Sequence, residues 1–378
     1  MTPLGLYVHW PFCARICPYC DFTVAKNRAV DEKAWADALA EDLKALSEYT
    51  RKRPLRSIYF GGGTPSLVPA NVAERVFRAA DDLFGIESGA ELTVEANPDD
   101  AARFKELSEL GFNRLSLGVQ SVSDASLTFL GRNHDAREAR DALIKATGMF
   151  PSVSADMIYA LPGQTPRAWE AELREVLSYG MDHLSLYQLT IEPGTPFGLA
   201  AERGRLVPSP NDLQADLYEL TGEITQAAGF PAYEVSNHAR PGSEAVHNSL
   251  YWQGAEWLAI GPGAHGRLGQ GAERLATEGA AKPKSYAALP LNERLSFTPL
   301  TEEEVLVETL AGGLRPVAGL CLHRLGDWQS SVLRAAEPFI ASGHLEHREG
   351  RLAATPSGRL LLDYLTTELT SALPSLSV

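Results

Sequence analysis

Up to about residue 195, apolar and polar positions alternate between two rhythms. Short runs rich in β-branched and aromatic residues read as strands: LYVHW at 6–10, SIYF at 57–60, ELTVEA at 91–96, RLSLGV at 114–119, SADMIY at 154–159 and HLSLYQL at 183–189. Between them the apolar positions recur with helical spacing near 31–48, 70–83, 100–110, 135–148 and 166–179, and after the last strand at 210–228. Strand–helix units in series imply parallel neighbours, because a tight hairpin cannot join parallel strands. Six such units predict an α/β fold: a partial (β/α)6 TIM-like barrel, with a doubly wound open sheet as the competing layout.

The periodicity weakens at 230–268, which is rich in Gly, Pro and aromatic residues and reads as loops against one end of the barrel, with a short strand at WLAIG. Residues 270–298, containing GAAKPKS, read as a linker. From 298 the pattern is helix, helix, hairpin, helix, a small winged-helix-like domain. It carries ten acidic and six basic residues, so it is not expected to read DNA. The expected division is 1–230 for the barrel, 231–297 for the extension and linker, and 298–378 for the C-terminal domain.

Composition narrows the function. The 378 residues carry 34 Lys and Arg against 48 Asp and Glu, a formal net charge of −14, which argues against nucleic-acid phosphates or anionic membrane as partners. No apolar run approaches the roughly 18 residues of a membrane span, and the amino terminus lacks a signal-like pattern. A cytoplasmic protein is expected. Of only four cysteines, three fall within eight residues, the wrong distribution for a disulfide framework and the right one for metal or redox chemistry. Cys321 reads as a buried apolar residue.

Cys13, Cys17 and Cys20 follow the first strand directly, where a barrel places its chemistry. Three local thiolates on a four-iron cubane leave one iron open to an exchangeable ligand. The competing readings are a zinc site completed by a distant histidine or Cys321, and a thioredoxin-like pair. Phe60-Gly61-Gly62-Gly63-Thr64-Pro65 ends the second strand, and its glycines let a ligand approach the backbone. Glu95, Gln120 and Asp156 end later strands, and Arg132 in GRNH offers a two-pronged clamp for a carboxylate.

The C-x3-C-x2-C spacing with an aromatic before its last cysteine resembles the radical S-adenosylmethionine superfamily. There, a [4Fe-4S] cluster is chelated at its fourth iron by the cofactor's amino and carboxylate groups. The resemblance runs through VHWPFCARICPYCDF, YFGGGTPS, VEANP, LSLGVQS, GRNH, YALPGQT and IEPGTP. It implies Cys13, Cys17 and Cys20 as cluster ligands. By similarity to the coproporphyrinogen dehydrogenase branch, it implies Tyr7, Tyr19, Gly62, Gly63, Thr64, Glu95, Gln120, Arg132 and Asp156 as S-adenosylmethionine contacts, Asp156 only across a one-residue gap.

Within that branch, the decarboxylase has a further cysteine where this chain has Phe22, and a longer amino-terminal arm than the twelve residues before Cys13. The CDF sequence at 20–22 and HNSLYW at 247–252 instead resemble its heme-chaperone relatives. That likeness implies a heme site, with His247 as an iron ligand and Tyr251 and Trp252 covering the macrocycle. Against it stands a loop histidine bonded to backbone above an aromatic core patch. The other histidines, His9, His134, His183, His238, His265, His323, His344 and His347, show no ligand-like pairing. The leading expectation is a carrier that binds the cluster, S-adenosylmethionine and heme and passes heme to an acceptor protein, with a ferredoxin or flavodoxin as electron donor. The second is an enzyme whose 5'-deoxyadenosyl radical drives oxidative decarboxylation of a porphyrinogen, and the third a structural zinc protein.

Overall fold

The structure, a computed structural model, describes residues 2–26 and 29–371; the expected C-terminal domain extends to 378, and its positions 372–378 lie outside the described residues. Six parallel strands form its centre: β1 (Leu4–Trp10), β2 (Leu55–Gly62), β3 (Ile86–Ala96), β4 (Arg114–Gln120), β5 (Ser152–Tyr159) and β6 (His183–Gln188). They lie side by side in sequence order. A doubly wound sheet reverses its order at a switch point; this one does not, and it curls as a partial barrel.

The strands are buried on both faces, as parallel sheets covered by helices must be. Leu4, Leu6, Val8, Ile58, Phe60, Val94, Leu115 and Leu117 are all fully buried. Six covering helices fall where the sequence pattern places them, α1 (Glu32–Leu46), α2 (Ala70–Leu83), α3 (Phe104–Glu109), α5 (Ala136–Thr147), α6 (Pro166–Leu177) and α8 (Asn211–Ala227), while the short α4 (Asp124–Phe129) and α7 (Pro196–Glu202) are not anticipated by it. Their starts are chemically marked. Asp31 accepts from Ala34 N at 3.0 Å, and Asp135 and Glu138 make a reciprocal capping box.

The sheet stays open and runs past the barrel at both ends. β7 (Asn237–Ala239) pairs antiparallel with β6; on the other side β8 (Glu256–Ile260) pairs parallel with β1. β9 (His265–Leu268), β10 (Leu275–Gly279) and β11 (Leu295–Pro299) then continue antiparallel, giving eleven strands in all. The expected strand at WLAIG is thus present, but 270–298 forms sheet rather than a linker. These strands are short, and their pairing is set by distant neighbours that local periodicity does not register. Asp42 on α1 anchors the extension: wholly buried, it accepts from Arg294 Nε and Tyr286 Oη, both at 2.8 Å.

The C-terminal unit is helix, helix, hairpin, helix, as its pattern predicts. It contains the helix Gln329–Ala341 and the hairpin Leu345–Arg348 with Arg351–Ala354, flanked by helices at Glu302–Gly313 and Leu362–Ser371. Its own apolar cluster includes Leu310, Val332, Leu352 and Leu365. It docks on the sheet extension through Glu308, which meets Arg267 at 2.6 Å and Arg274 at 3.6 Å, and through Arg315, which meets the buried Glu234 at 3.0 Å. Among the described residues no helix is long and apolar enough to cross a membrane.

Candidate functional site

The loop after β1 is pinned at its base. Phe12 is fully buried, Phe12–Cys13 pairs with Ala25–Lys26, and Gly63 N and Thr64 N donate to Trp10 O and Phe12 O at 2.8 and 3.0 Å. The cysteine loop and the glycine loop are therefore laced together. A Cβ on Gly63 would stand 2.8 Å from the Pro11 carbonyl carbon and 3.0 Å from Cys13 Sγ, closer than real Cβ atoms come to backbone. Gly63→Ala is expected to push the two loops apart and to lower iron retention after anaerobic reconstitution at least severalfold, leaving the circular dichroism spectrum intact; iron content equal to the parent protein would contradict the tight apposition.

Cys13 is buried and Cys17 and Cys20 are partly so. Burial pushes the Cys13 thiol up to about 11, with the Thr64 hydroxyl pulling back, and raises Cys20 as well. Metal uptake must therefore release protons from this loop. Arg132 supplies a neighbouring cation. Its Nη1 donates to Cys17 Sγ and Tyr19 Oη, both at 3.4 Å, and its Nη2 donates to Gly118 O at 3.0 Å and to Asn97 Oδ1. Its Nε is buried with no partner among the described residues, an open donor at the site.

These groups line a cavity of about 500 Å³, along with Gly62, Gly63, Thr64, Glu95, Gln120 and Asp156. Glu95 accepts from Tyr59 Oη at 2.8 Å and Gly62 N at 3.1 Å, and burial still pushes it up to about 7. A cationic amine brought beside it would be stabilised by its ionised form. Asp156 accepts from Ser116 and Ser154 at 2.8 and 3.0 Å and is likewise raised by burial. Gln120 holds a left-handed backbone, φ 63°, which costs about 1–3 kcal/mol for a non-glycine and marks this strand end as constrained by its surroundings.

The donor set fits a cluster and an amino-acid-bearing cofactor: three thiols, a glycine cradle, two half-buried carboxylates and an unpaired guanidinium nitrogen. Among the described residues no three His, Cys, Asp or Glu crowd tightly enough to share a single metal ion. A cubane seats each thiolate on a different iron and does not require that crowding.

Four expected site residues lie elsewhere. Tyr7, Tyr251 and Trp252 line a second, larger cavity of about 1170 Å³, which shares with the first only Asp21 and Phe22. His247 lines neither. It is the second residue of α9 (Val246–Trp252), whose first amides donate to Glu91 at 2.8 and 2.9 Å. Its Nδ1 is 2.8 Å from Ser57 Oγ and its Nε2 2.6 Å from Tyr251 Oη; burial drives its pKa down to about 3. In this arrangement the imidazole is neutral and has no nitrogen left for a metal. Cys321, expected buried and apolar, is partly exposed and lies 2.9 Å from His323 Nδ1.

Reading by motif missed Asn97, which links Arg132 to Thr64, and the serines of β4, β5 and β6 that ring Asp156. Inward small polar residues in otherwise apolar strands were the available signal.

Residues 7–176 match the Radical SAM superfamily model and 300–361 the HemN C-terminal domain model. The chain is 39% identical over 374 residues to Radical S-adenosyl methionine domain-containing protein 1, mitochondrial, of Bos taurus, covering 95% of this chain and 82% of that protein. It is 35% identical to heme chaperone HemW of Mycobacterium tuberculosis, covering 97% and 95% of the two. The fold is that of the radical SAM coproporphyrinogen III oxidase HemN of Escherichia coli, with TM-score 0.79 and 22% identity over 98% of this chain and 91% of that one. With matches to HemW along almost its whole length, the chain belongs to the HemW family of the radical S-adenosylmethionine superfamily.

Proposed function

We propose that this protein is a heme carrier on a radical S-adenosylmethionine scaffold, which receives heme beside the cluster site and passes it to an acceptor protein. In this reading Cys13, Cys17 and Cys20 hold a [4Fe-4S] cluster. Tyr19, Gly62, Gly63, Thr64, Glu95, Gln120, Arg132 and Asp156 hold S-adenosylmethionine, Tyr251 and Trp252 wall the heme, and Tyr7 stands between cofactor and heme. When bound, the cluster and cofactor supply one-electron sulfonium chemistry. The chain's own part is to orient them and keep water out.

The observation that carries the reading is the pair of cavities. An enzyme that abstracts hydrogen must seat its substrate against the cofactor, inside the cavity of the thiols, and about 500 Å³ is room for one ligand of cofactor size. The larger cavity lies to the side, walled by aromatic rings. Phe22, where the decarboxylases have a cysteine, is 59% exposed at the boundary of the two. The relatives named as heme chaperones support the same reading.

The test sets two assays side by side on anaerobically reconstituted protein. Heme titration followed by visible absorption is expected to saturate at one heme per chain, while coproporphyrinogen with a chemical reductant yields no vinyl product. Product above a Cys17→Ala control would reverse the assignment in favour of the decarboxylase.

A further inference from the structure

Resting on the carrier reading, the geometry points to His323, not His247, as the group that ligates heme iron, with Arg324 and Arg274 taking the two propionates in the larger cavity.

Three histidines line that cavity: His9, His265 and His323. His9 is buried with both nitrogens in use, Nδ1 at 3.1 Å from Tyr7 Oη and Nε2 donating to Thr23 O at 2.9 Å. His265 is exposed and turns Nε2 toward Glu278 Oε1 at 3.9 Å. His323 is exposed like His265 but differs from both in its bonding. Its Nδ1 is fixed by Cys321 Sγ at 2.9 Å, and its Nε2 has no hydrogen-bond partner among the described residues. A ligating histidine characteristically has its second nitrogen held by a neighbour, which fixes the tautomer and aims the lone pair. With Nδ1–H donating to Cys321 Sγ, the Nε2 lone pair is the open one.

The charges point the same way. Arg324 Nη1 donates to Trp252 O at 2.9 Å, and the guanidinium packs so closely over Gly254 that a Cβ there would collide with Nη2. Arg274 Nη1 donates to the carbonyl of the same glycine at 3.3 Å. Two guanidinium groups thus converge on Gly254, in a chain whose net charge is −14. Of the acids on this cavity, Glu308 is shared between Arg267 and Arg274, while Arg324 meets no carboxylate among the described residues. Burial lowers both guanidinium pKa values; the Arg274 cation lowers that of Arg324 further, and Arg267 does the same to Arg274. A flat ligand with two carboxylates relieves that repulsion. The edge-on pair Tyr251 and Trp257, ring centroids 4.7 Å apart, supplies an apolar wall for its body.

The experiment uses the full chain with heme, and with heme dimethyl ester as the uncharged probe. His323→Ala is expected to lose the histidine-ligated absorption and paramagnetic resonance signature and to regain it with added imidazole, a rescue that a structural role would not show. His265→Ala and His247→Gln are expected to keep the parent signature. Arg324→Gln is expected to weaken heme binding about tenfold or more and to abolish the preference for heme over its ester. A His323→Ala protein with the parent spectrum, a loss of ligation in His265→Ala or His247→Gln instead, or an unchanged preference in Arg324→Gln would overturn this assignment and leave the carrier standing. Failure of the unaltered chain to bind heme would sink both.

Discussion

Cys17→Ala is expected to take the reconstituted protein from about four non-heme irons and four sulfides per chain to nearly none. Two thiolates cannot hold a cubane that leaves one iron open, and no other cysteine is near: Cys321 lies on the C-terminal unit, paired with His323. The fold has little reason to respond. Cys17 is only partly buried, and its thiol meets only the polar ends of Arg132 and Tyr19 among the described residues. Iron and sulfide analysis beside a thermal melt separates the two effects. The expected outcome is lost metal with an unchanged melt; retention of half the iron or more would mean that the three cysteines are not the ligand set.

Arg294→Met is expected to destabilise the protein by about 3–5 kcal/mol, the cost of leaving a buried ion-pair partner alone. Asp42 is fully buried on α1 and Arg294 nearly so at the start of β11, with Tyr286 as third member. Glu41 also meets Arg294, at 2.7 Å, but it is largely exposed and contributes little. Burial already raises the Asp42 pKa, and removing the cation raises it further. A carboxyl whose folded pKa is raised loses stability as pH climbs above its unfolded value of about 3.9. The deficit should therefore be present at neutral pH and shrink toward pH 4, and adding Asp42→Asn should recover part of it. Urea denaturation at two pH values measures this. A loss below about 1 kcal/mol would mean that 270–298 is not fastened to the barrel.

The barrel was legible because its strands are short runs rich in β-branched and aromatic residues and the apolar positions of its longer helices recur with helical spacing. The cysteine and glycine loops were legible because both patterns are local. What escaped was non-local: β10 and β11 owe their form to each other and to Asp42 across 252 residues of chain. The same holds for histidines. HNSLYW stood out as a motif, yet the fold spends both nitrogens of His247 on Ser57 and Tyr251. His323 and Arg324, unremarkable in sequence, face the larger cavity only because the C-terminal unit docks through Glu308 and Arg315.

The central claim is that cluster and heme occupy separate neighbouring cavities of one chain. It is tested most directly by counting non-heme iron and sulfide in anaerobically reconstituted protein before and after saturation with heme. The account predicts an unchanged cluster, about four irons and four sulfides, alongside one bound heme. Heme uptake that expels the cluster, or a chain that takes up zinc in place of iron and sulfide, would contradict it.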